Sequence, residues 1–242
     1  IHQAFLDNLV IVFRDQILTP KKQVEIARLF GKPAIYPFLQ GLDDAPEVHE
    51  LLKTEEDTVN FGGSWHSDTA YRERPNMGTL LYAHEVPDVG GDTLFTNMYL
   101  AYDALPEDMK LKLSRVKTRN RYSTERARSR TLRQTFEADE VPTIEHPLFR
   151  THPETGRTSL YLAYKGITRG FVGMSDEEGD ALHNLLYMHV SRPEFPCRFR
   201  WAKGSMAFWD NRCMLHVAVN DYHGQRREMH RVTIKGGPVV AA

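Results

Sequence analysis

Apolar residues recur along the chain with two different periods, and each period predicts one kind of element. In four segments they fall three or four residues apart, which is the spacing of an amphipathic helix: residues 1–9, 21–30, 98–116 and 175–192. Thr19 and Pro20 provide a cap and a first-turn proline for the second helix, Gly31 ends it, and Ser175 caps the fourth. The helices therefore account for a minor part of the chain.

Short segments bounded by turn residues make up most of the remainder. The strand candidates are residues 10–13, 48–53, 64–71, 78–86 and 91–97, followed by a second series within 146–164, 198–219 and 227–236. Many short strands with a few peripheral helices predict a mostly β fold, arranged as a two-sheet barrel or a jelly roll. No repeat or linker divides the sequence, so we expect one domain over residues 1–242. The pattern is already helical at residue 1, and we expect more chain before it.

The charge balance limits the classes of partner that the chain is expected to bind. With 31 basic and 32 acidic residues, the formal net charge is -1, so no overall basic field attracts nucleic acid or an anionic membrane. No apolar run approaches the roughly 18 residues that a membrane span needs. We therefore expect a small-molecule partner and leave a homo-oligomer open. The two cysteines, Cys197 and Cys213, are too few for a disulfide scaffold and favour a reducing, cytoplasmic location.

One segment stands out by its charge. Six arginines lie between residues 119 and 133, with few apolar residues to anchor them. A solvated helix or a mobile loop is one interpretation. The other is a mobile lid over a site, covering about residues 118–140, because long functional loops often carry such covers.

His66 and Asp68, in "SWHSDTAY", are two positions apart in a strand candidate. Alternate residues of a strand share a face, so the two side chains are predicted to converge as two ligands of a metal. A chain with 11 histidines contains such a pair by chance about half the time, so the pair alone is a weak signal. His152 and Glu154 have the same spacing, but Pro153 and the residues after it indicate a turn.

A third ligand must come from elsewhere in the chain. His183 and His189 lie on a predicted helix, where a histidine is usually at the surface or satisfied in the core, whereas His216 lies in the apolar strand "FWDNRCMLHVAV". A buried histidine there needs a polar partner, which is either a metal or a structural hydrogen bond. Arg227 and Arg231 share a face of the next strand, which the hairpin 220–225 is predicted to return beside His216. They form either a bidentate anion site or an exposed charged surface.

Six motifs together resemble one known family: "WHSD", "VPDVGGDTLFTNMYLAYDAL", "RTHPETGR", "RPEFPCRFRW", "FWDNRCMLH" and "RREMHRVTI". They are similar, in order and over nearly the whole chain, to the taurine dioxygenase and phenoxyacetate-herbicide dioxygenase family. The resemblance implies a double-stranded β-helix, a jelly roll that normally has extra strands before the first helix of this chain. It implies an Fe(II)- and 2-oxoglutarate-dependent dioxygenase that oxidises an aliphatic C–H bond with O2, while 2-oxoglutarate becomes succinate and carbon dioxide.

The resemblance also assigns roles to individual residues. His66, Asp68 and His216 correspond to the iron ligands, which leave three coordination positions for 2-oxoglutarate and oxygen. Thr93 and Arg227 correspond to the residues that hold the distal carboxylate of 2-oxoglutarate. Arg231 corresponds to the arginine that meets the anionic end of the substrate, and we count it with the cosubstrate residues as well.

The substrate positions depart from the taurine enzyme. Where that enzyme has a histidine and a tyrosine, this chain has Tyr36 and Leu39; Gly62 replaces an asparagine, and Arg126 and Ile167 replace two phenylalanines. We therefore expect a small anionic substrate other than taurine: another sulfonate, a sulfate ester or an aryloxyalkanoate. Thr69, next to Asp68, is a further substrate candidate, and the Gly62–Gly63 pair suggests space for a bulkier substrate.

Two other functions fit part of this pattern. A His–Asp–His set can also bind Zn²⁺ and activate water for hydrolysis, although a hydrolase has no use for the Thr93–Arg227 pair. A jelly-roll binding module without chemistry has no need of three ligands with open positions.

Overall fold

The computed structural model describes residues 1–35, 40–122 and 142–242. Five helices occur in this part of the chain: α1 (His2–Asn8), α2 (Pro20–Arg28), α3 (Met98–Asp103), α4 (Glu107–Leu113) and α5 (Asp176–Val190). Thr19 caps α2 and Ser175 caps α5 through a capping box, both as predicted. The predicted helix over residues 98–116 is interrupted, because Pro106 disfavours helical backbone at the residue before it and becomes the cap of α4.

Fifteen strands are present among the same residues, and the predicted mostly β fold is confirmed. They are β1 (Val10–Phe13), β2 (Pro33–Ala34), β3 (Val48–Lys53), β4 (Gly78–Glu85), β5 (Thr93–Asn97), β6 (Lys117–Asn120), β7 (Ile144–Pro147), β8 (Phe149–Thr151), β9 (Thr158–Leu160), β10 (Thr168–Phe171), β11 (Pro196–Phe199), β12 (Met206–Asp210), β13 (Met214–Ala218), β14 (Arg227–Ile234) and β15 (Val240–Ala241). Residues 152–157 connect the antiparallel pair β8–β9, as the turn composition predicted.

The strands form one large antiparallel sheet and three small ones. The large sheet has the order β1–β12–β4–β14–β2, and β3 pairs with β14 on the same side as β2. The small sheets are β11–β5–β13, β10–β6–β7 and β15–β8–β9. β14 therefore lies inside the large sheet, where both of its edges are paired with other strands.

A hydrophobic core fills the space between the large sheet and the sheet β11–β5–β13. Leu81, Trp209 and Met229 enter it from the large sheet, and Phe95 and Met214 enter it from the small one. On the outer face of the large sheet, α1 and α2 cover a second core. The inner face of β14 is thus the face that looks toward β13.

Two sequence expectations about local structure are wrong. Residues 64–71 form turns rather than a strand, with one isolated antiparallel bridge between His66 and His216. Ser67 donates a hydrogen bond to the carbonyl of Asn211, which holds the segment against the loop between β12 and β13 instead of against a neighbouring strand. The chain after β13 also does not return as a hairpin, because β13 pairs with β5 while β14 enters the large sheet.

Several sequence candidates lie outside the described residues. They are Tyr36, Leu39 and Arg126, together with most of the candidate lid at 118–140. Of that segment, residues 118–120 belong to β6. No helix in the described ranges is long and apolar enough to cross a membrane.

The second His–Glu pair belongs to a buried network of charges. His152 Nε2 lies 3.0 Å from Asp210 Oδ2, and Arg212 binds Asp210 with its Nε and Nη2 atoms at 2.8 and 2.7 Å. Arg212 also bonds to Glu154. Burial raises the pKa of Asp210, but the hydrogen bonds from His152 and Arg212 lower it by more. The network joins the turn 152–157 to the end of β12, which is a structural role.

Asp210→Asn is expected to destabilise the protein by about 2–3 kcal/mol, because the buried Arg212 guanidinium loses its charge-assisted hydrogen bonds to Asp210 and keeps only Glu154 as a carboxylate partner. Urea unfolding measures the change, and Asp180→Asn on the exposed face of α5 serves as the control. Since the folded-state pKa of Asp210 lies below its usual value of 3.8, its contribution is complete above that pH and is lost as the pH falls through the folded-state pKa. A loss below about 1 kcal/mol for Asp210→Asn is the contrary result.

Candidate metal centre and anion-binding groups

The isolated bridge brings two histidines together, one from the loop before β4 and one from β13. His66 N donates to the carbonyl of His216 at 3.1 Å, and His216 N donates back to the carbonyl of His66 at 2.9 Å. The two rings lie with their centroids 4.1 Å apart. The pairing of a loop with β13, rather than strand alternation, is therefore what positions the first histidine.

Three donor atoms converge next to this bridge. Asp68 Oδ1 lies 3.9 Å from His66 Nε2 and 4.0 Å from His216 Nε2. These separations are too long for hydrogen bonds, so the three groups surround a common point without bonding to one another. This spacing of a carboxylate oxygen and two imidazole nitrogens is suited to holding one cation between them.

Neighbouring groups orient two of the donors. His66 Nδ1 lies 2.7 Å from the carbonyl of Ser64, so Nδ1 carries the proton and the Nε2 lone pair points to the common point. Asp68 Oδ2 accepts a 2.6 Å hydrogen bond from the Thr79 hydroxyl, whose oxygen accepts in turn from Asn211. Oδ1 is thereby left to face the histidines. Sequence reasoning missed Thr79 and Asn211, since neither has a spacing signal.

The protonation states suit a metal. Burial raises the pKa of Asp68, but its electrostatic interactions with His216 and Arg231 lower it by a larger amount, to about 2. Burial and the neighbouring His66 lower the pKa of His216 to about 3. At neutral pH the site thus has one carboxylate and a neutral imidazole on β13. Two imidazoles and one carboxylate are the facial set that holds non-haem Fe²⁺ with open positions, so the residues present fit a ferrous ion.

Two arginines of β14 face this centre. Arg231 Nη1 lies 3.6 Å from Asp68 Oδ1, and its register partner on β3 is His49. Burial and the charge of Arg231 lower the pKa of His49 to about 3, so that ring adds no competing charge. Arg231 is thus beside the donors, while Arg227 lies four residues away on the same face, about 13 Å along the strand.

Arg227 is surrounded by groups suited to a carboxylate. Its side chain is buried, and its Nε and Nη2 atoms have no hydrogen-bond partner among the described residues. Its guanidinium carbon lies 5.8 Å from the ring centroid of Trp201, and Trp201 Nε1 donates a 2.9 Å hydrogen bond to Thr93 Oγ1. That bond leaves the Thr93 hydroxyl proton available to another acceptor. Trp201 is the last residue of the motif "RPEFPCRFRW", and its hydrogen bond to Thr93 is seen only in the structure.

The structure shows which protein atoms surround three residues near the predicted substrate position: Gly62, Gly63 and Thr69. A Cβ atom on Gly62 would lie 3.1 Å from Cε1 of His66, and one on Gly63 would lie 2.9 Å from Oδ1 of Asn60. The missing side chains of the two glycines therefore leave room for neighbouring protein atoms, and space for a bulkier substrate beside them stays a prediction. The Thr69 hydroxyl accepts a hydrogen bond from the backbone of Asn76, which holds the turn after Asp68.

Ile167 remains close to the turn that follows Asp68. It is buried in one apolar cluster with Ala70 and Tyr71, together with Tyr161 and Ala163. This cluster begins two residues after Asp68, and Leu51 of β3 also packs against it.

Comparisons with known proteins show which family the chain resembles. The family model described as "Taurine catabolism dioxygenase TauD, TfdA family" matches residues 1–233. The chain is 33% identical to an alkylsulfatase of Acinetobacter baylyi, over 98% of this chain and 76% of that protein. It is 32% identical to an (S)-phenoxypropionate/alpha-ketoglutarate-dioxygenase of Sphingobium herbicidovorans, over 97% of this chain and 85% of that protein.

Solved structures confirm the predicted jelly roll. A taurine dioxygenase from Burkholderia xenovorans superposes with a TM-score of 0.85 at 32% identity, covering 99% of this chain and 81% of that chain. The zinc hydrolase alternative finds no support in the family match. The chain belongs to the taurine catabolism dioxygenase TauD/TfdA family.

Proposed function

We propose that this dioxygenase binds Fe²⁺ through His66 Nε2, Asp68 Oδ1 and His216 Nε2, and that it couples 2-oxoglutarate decarboxylation to oxidation of an aliphatic C–H bond in a compact anionic substrate. The observation that supports this most directly is the convergence of the three donor atoms beside two buried arginines of one strand face. When bound, the ferrous ion and 2-oxoglutarate supply the oxygen activation. The residues of the chain bind, orient and exclude water.

The positions of the two arginines suit them to different ligands. Arg227, with Thr93 and Trp201, lies far enough from the donors to hold the distal carboxylate of a 2-oxoglutarate whose other end reaches the metal. Arg231 lies beside Asp68 and is placed to hold the anionic group of the substrate near the reacting C–H bond. A buried carboxylate or sulfate is costly without a charged partner, and each arginine supplies one.

The charge of the inner face favours an anionic substrate. A divalent ion and two arginines outweigh the single carboxylate of Asp68, and one 2-oxoglutarate does not neutralise the excess. One relative is named an alpha-ketoglutarate-dependent sulfate ester dioxygenase of Pseudomonas putida, and it is 32% identical over 98% of this chain and 80% of that protein. Its name supports a substrate that is a sulfate ester, a sulfonate or an aryloxyalkanoate. Taurine is disfavoured because Gly62 stands where the taurine enzyme has an asparagine, so the amine of taurine has no such partner here.

A panel of substrates tests this assignment through succinate release. We expect turnover with one or more alkyl sulfate esters, sulfonates or aryloxyalkanoates, and none with uncharged or cationic analogues of the same size. Arg231→Met is expected to lower substrate turnover by about 100-fold or more, with a smaller effect on the slow 2-oxoglutarate decay that occurs without substrate. Equal damage to both reactions indicates instead that Arg231 serves the cosubstrate.

A further inference from the structure

Lys53 is a buried cation that the proposed function does not yet use. It is the last residue of β3, and in the register of β3 with β14 it lies directly opposite Arg227. Residues directly opposite in an antiparallel pair extend to the same face of the sheet. Lys53 and Arg227 therefore both extend to the inner face, just as His49 and Arg231 do farther along the same two strands.

The ammonium group of Lys53 has no anionic partner among the described residues. The side chain is 4% exposed, and Nζ has no hydrogen-bond acceptor there. Nζ lies over the ring of Tyr222, 4.5 Å from the ring centroid. A buried ammonium without a charged partner is costly, and the guanidinium of Arg227, whose Nε and Nη2 atoms also lack acceptors among the described residues, increases that cost.

Tyr222 joins the two cations into one site. Its Cδ1 atom and the Cδ atom of Arg227 both lie 3.3 Å from the position that a Cβ atom on Gly91 would occupy. Gly91 has a φ of 68°, in the region that favours glycine, so the backbone approaches both side chains closely. Lys53, Tyr222, Gly91 and Arg227 thus form one continuous wall at the end of β14 away from Asp68.

We propose that Lys53 is a second cation for the distal carboxylate of 2-oxoglutarate, which it binds together with Arg227. A carboxylate has two oxygens with about four acceptor positions, enough for the guanidinium fork, the Thr93 hydroxyl and one ammonium proton. This inference rests on the proposed function, because it takes the Arg227 end of the inner face as the cosubstrate end. Lys53 is thus a cosubstrate-binding residue that contacts the end of 2-oxoglutarate away from the reacting atoms.

Cosubstrate affinity tests the proposal when it is measured with two ligands. In Fe²⁺-loaded protein without oxygen, the visible absorption band reports binding of 2-oxoglutarate and of 2-oxopentanoate, which lacks the distal carboxylate. Lys53→Met is expected to raise the Kd for 2-oxoglutarate by about 10- to 100-fold, the range of one charge-assisted hydrogen bond, and to leave that for 2-oxopentanoate within about 2-fold. Lys53→Arg, which retains the charge, is expected to recover most of the loss.

Thermal unfolding of the protein without ligands separates this role from a structural one. Lys53→Met removes an uncompensated buried charge, so its Tm is expected to equal or exceed that of the wild type. A lower Tm, a failure to fold, or equal weakening of both ligands indicates that Lys53 only supports Tyr222, and each overturns the proposal. If the wild type binds neither ligand, the proposed function itself fails; if Lys53→Met retains the wild-type preference for 2-oxoglutarate, only the role of Lys53 fails.

Discussion

Asp68→Ala is expected to abolish turnover and to remove the visible band that Fe²⁺ and 2-oxoglutarate give in the absence of oxygen. Asp68 is the only carboxylate of the converging donor set, and its loss also places Arg231 beside two imidazoles with no negative charge between them. The affinity for a divalent cation must therefore fall sharply. Anaerobic absorption spectroscopy and measured iron content check the result.

The control for this variant is an exposed carboxylate. Asp180→Ala removes a surface ion pair with Lys165 on α5 and is expected to leave the band, the iron content and the rate of succinate formation unchanged. A band of wild-type intensity in Asp68→Ala removes this residue from the set of metal ligands.

Arg227→Met is expected to raise the 2-oxoglutarate concentration needed for half-maximal rate by about 100-fold or more. The change leaves the distal carboxylate without its guanidinium in a buried place, and losing one partner of such a pair costs several kcal/mol. The rate of succinate formation measured against 2-oxoglutarate concentration gives the result.

Arg226 supplies a matched control on the adjacent position. Its side chain is partly exposed and pairs with Glu85 and Glu228, on the opposite side of β14 from the metal donors. Arg226→Met is expected to leave the 2-oxoglutarate requirement within about 2-fold. If both variants behave alike, the cosubstrate does not extend toward the start of β14.

The sequence predicted the donor residues better than it predicted their geometry. The spacing of His66 and Asp68 indicated convergence, and the two donors do converge, but a turn tied to Asn211 and a single bridge to β13 achieve this in place of a strand. His216 was correctly placed on an apolar strand. Residue types and motif order thus identified the candidate chemistry, whereas the local backbone depended on contacts between residues about 150 positions apart.

The predicted hairpin between β13 and β14 was wrong because strand pairing does not follow from the sequence of one strand. Arg227 and Arg231 do share a face, because that follows from the period of one strand. Which sheet the strand joins does not follow from its own sequence, since a turn of the same composition can close a hairpin or let the chain cross between sheets. β14 crosses to the large sheet, and this is what brings Arg231 opposite β13 and Arg227 opposite Lys53.

The groups that only the structure revealed share a physical reason. Thr79 orients Asp68, and Lys53 lies opposite Arg227, through register with strands that are distant in sequence. Gly62 was expected to leave space for substrate, and the structure adds that a Cβ atom at this position would lie 3.1 Å from the ring of His66. A single sequence identifies a small residue without identifying the neighbour that occupies the space.

A crystal structure with Mn²⁺ and a 2-oxoglutarate analogue that cannot be decarboxylated tests the proposed centre most directly. We expect one metal ion bonded to His66 Nε2, Asp68 Oδ1 and His216 Nε2, with the distal carboxylate of the analogue on Arg227. A metal ion bound elsewhere, or an analogue whose distal carboxylate lies on Arg231, contradicts the proposed site.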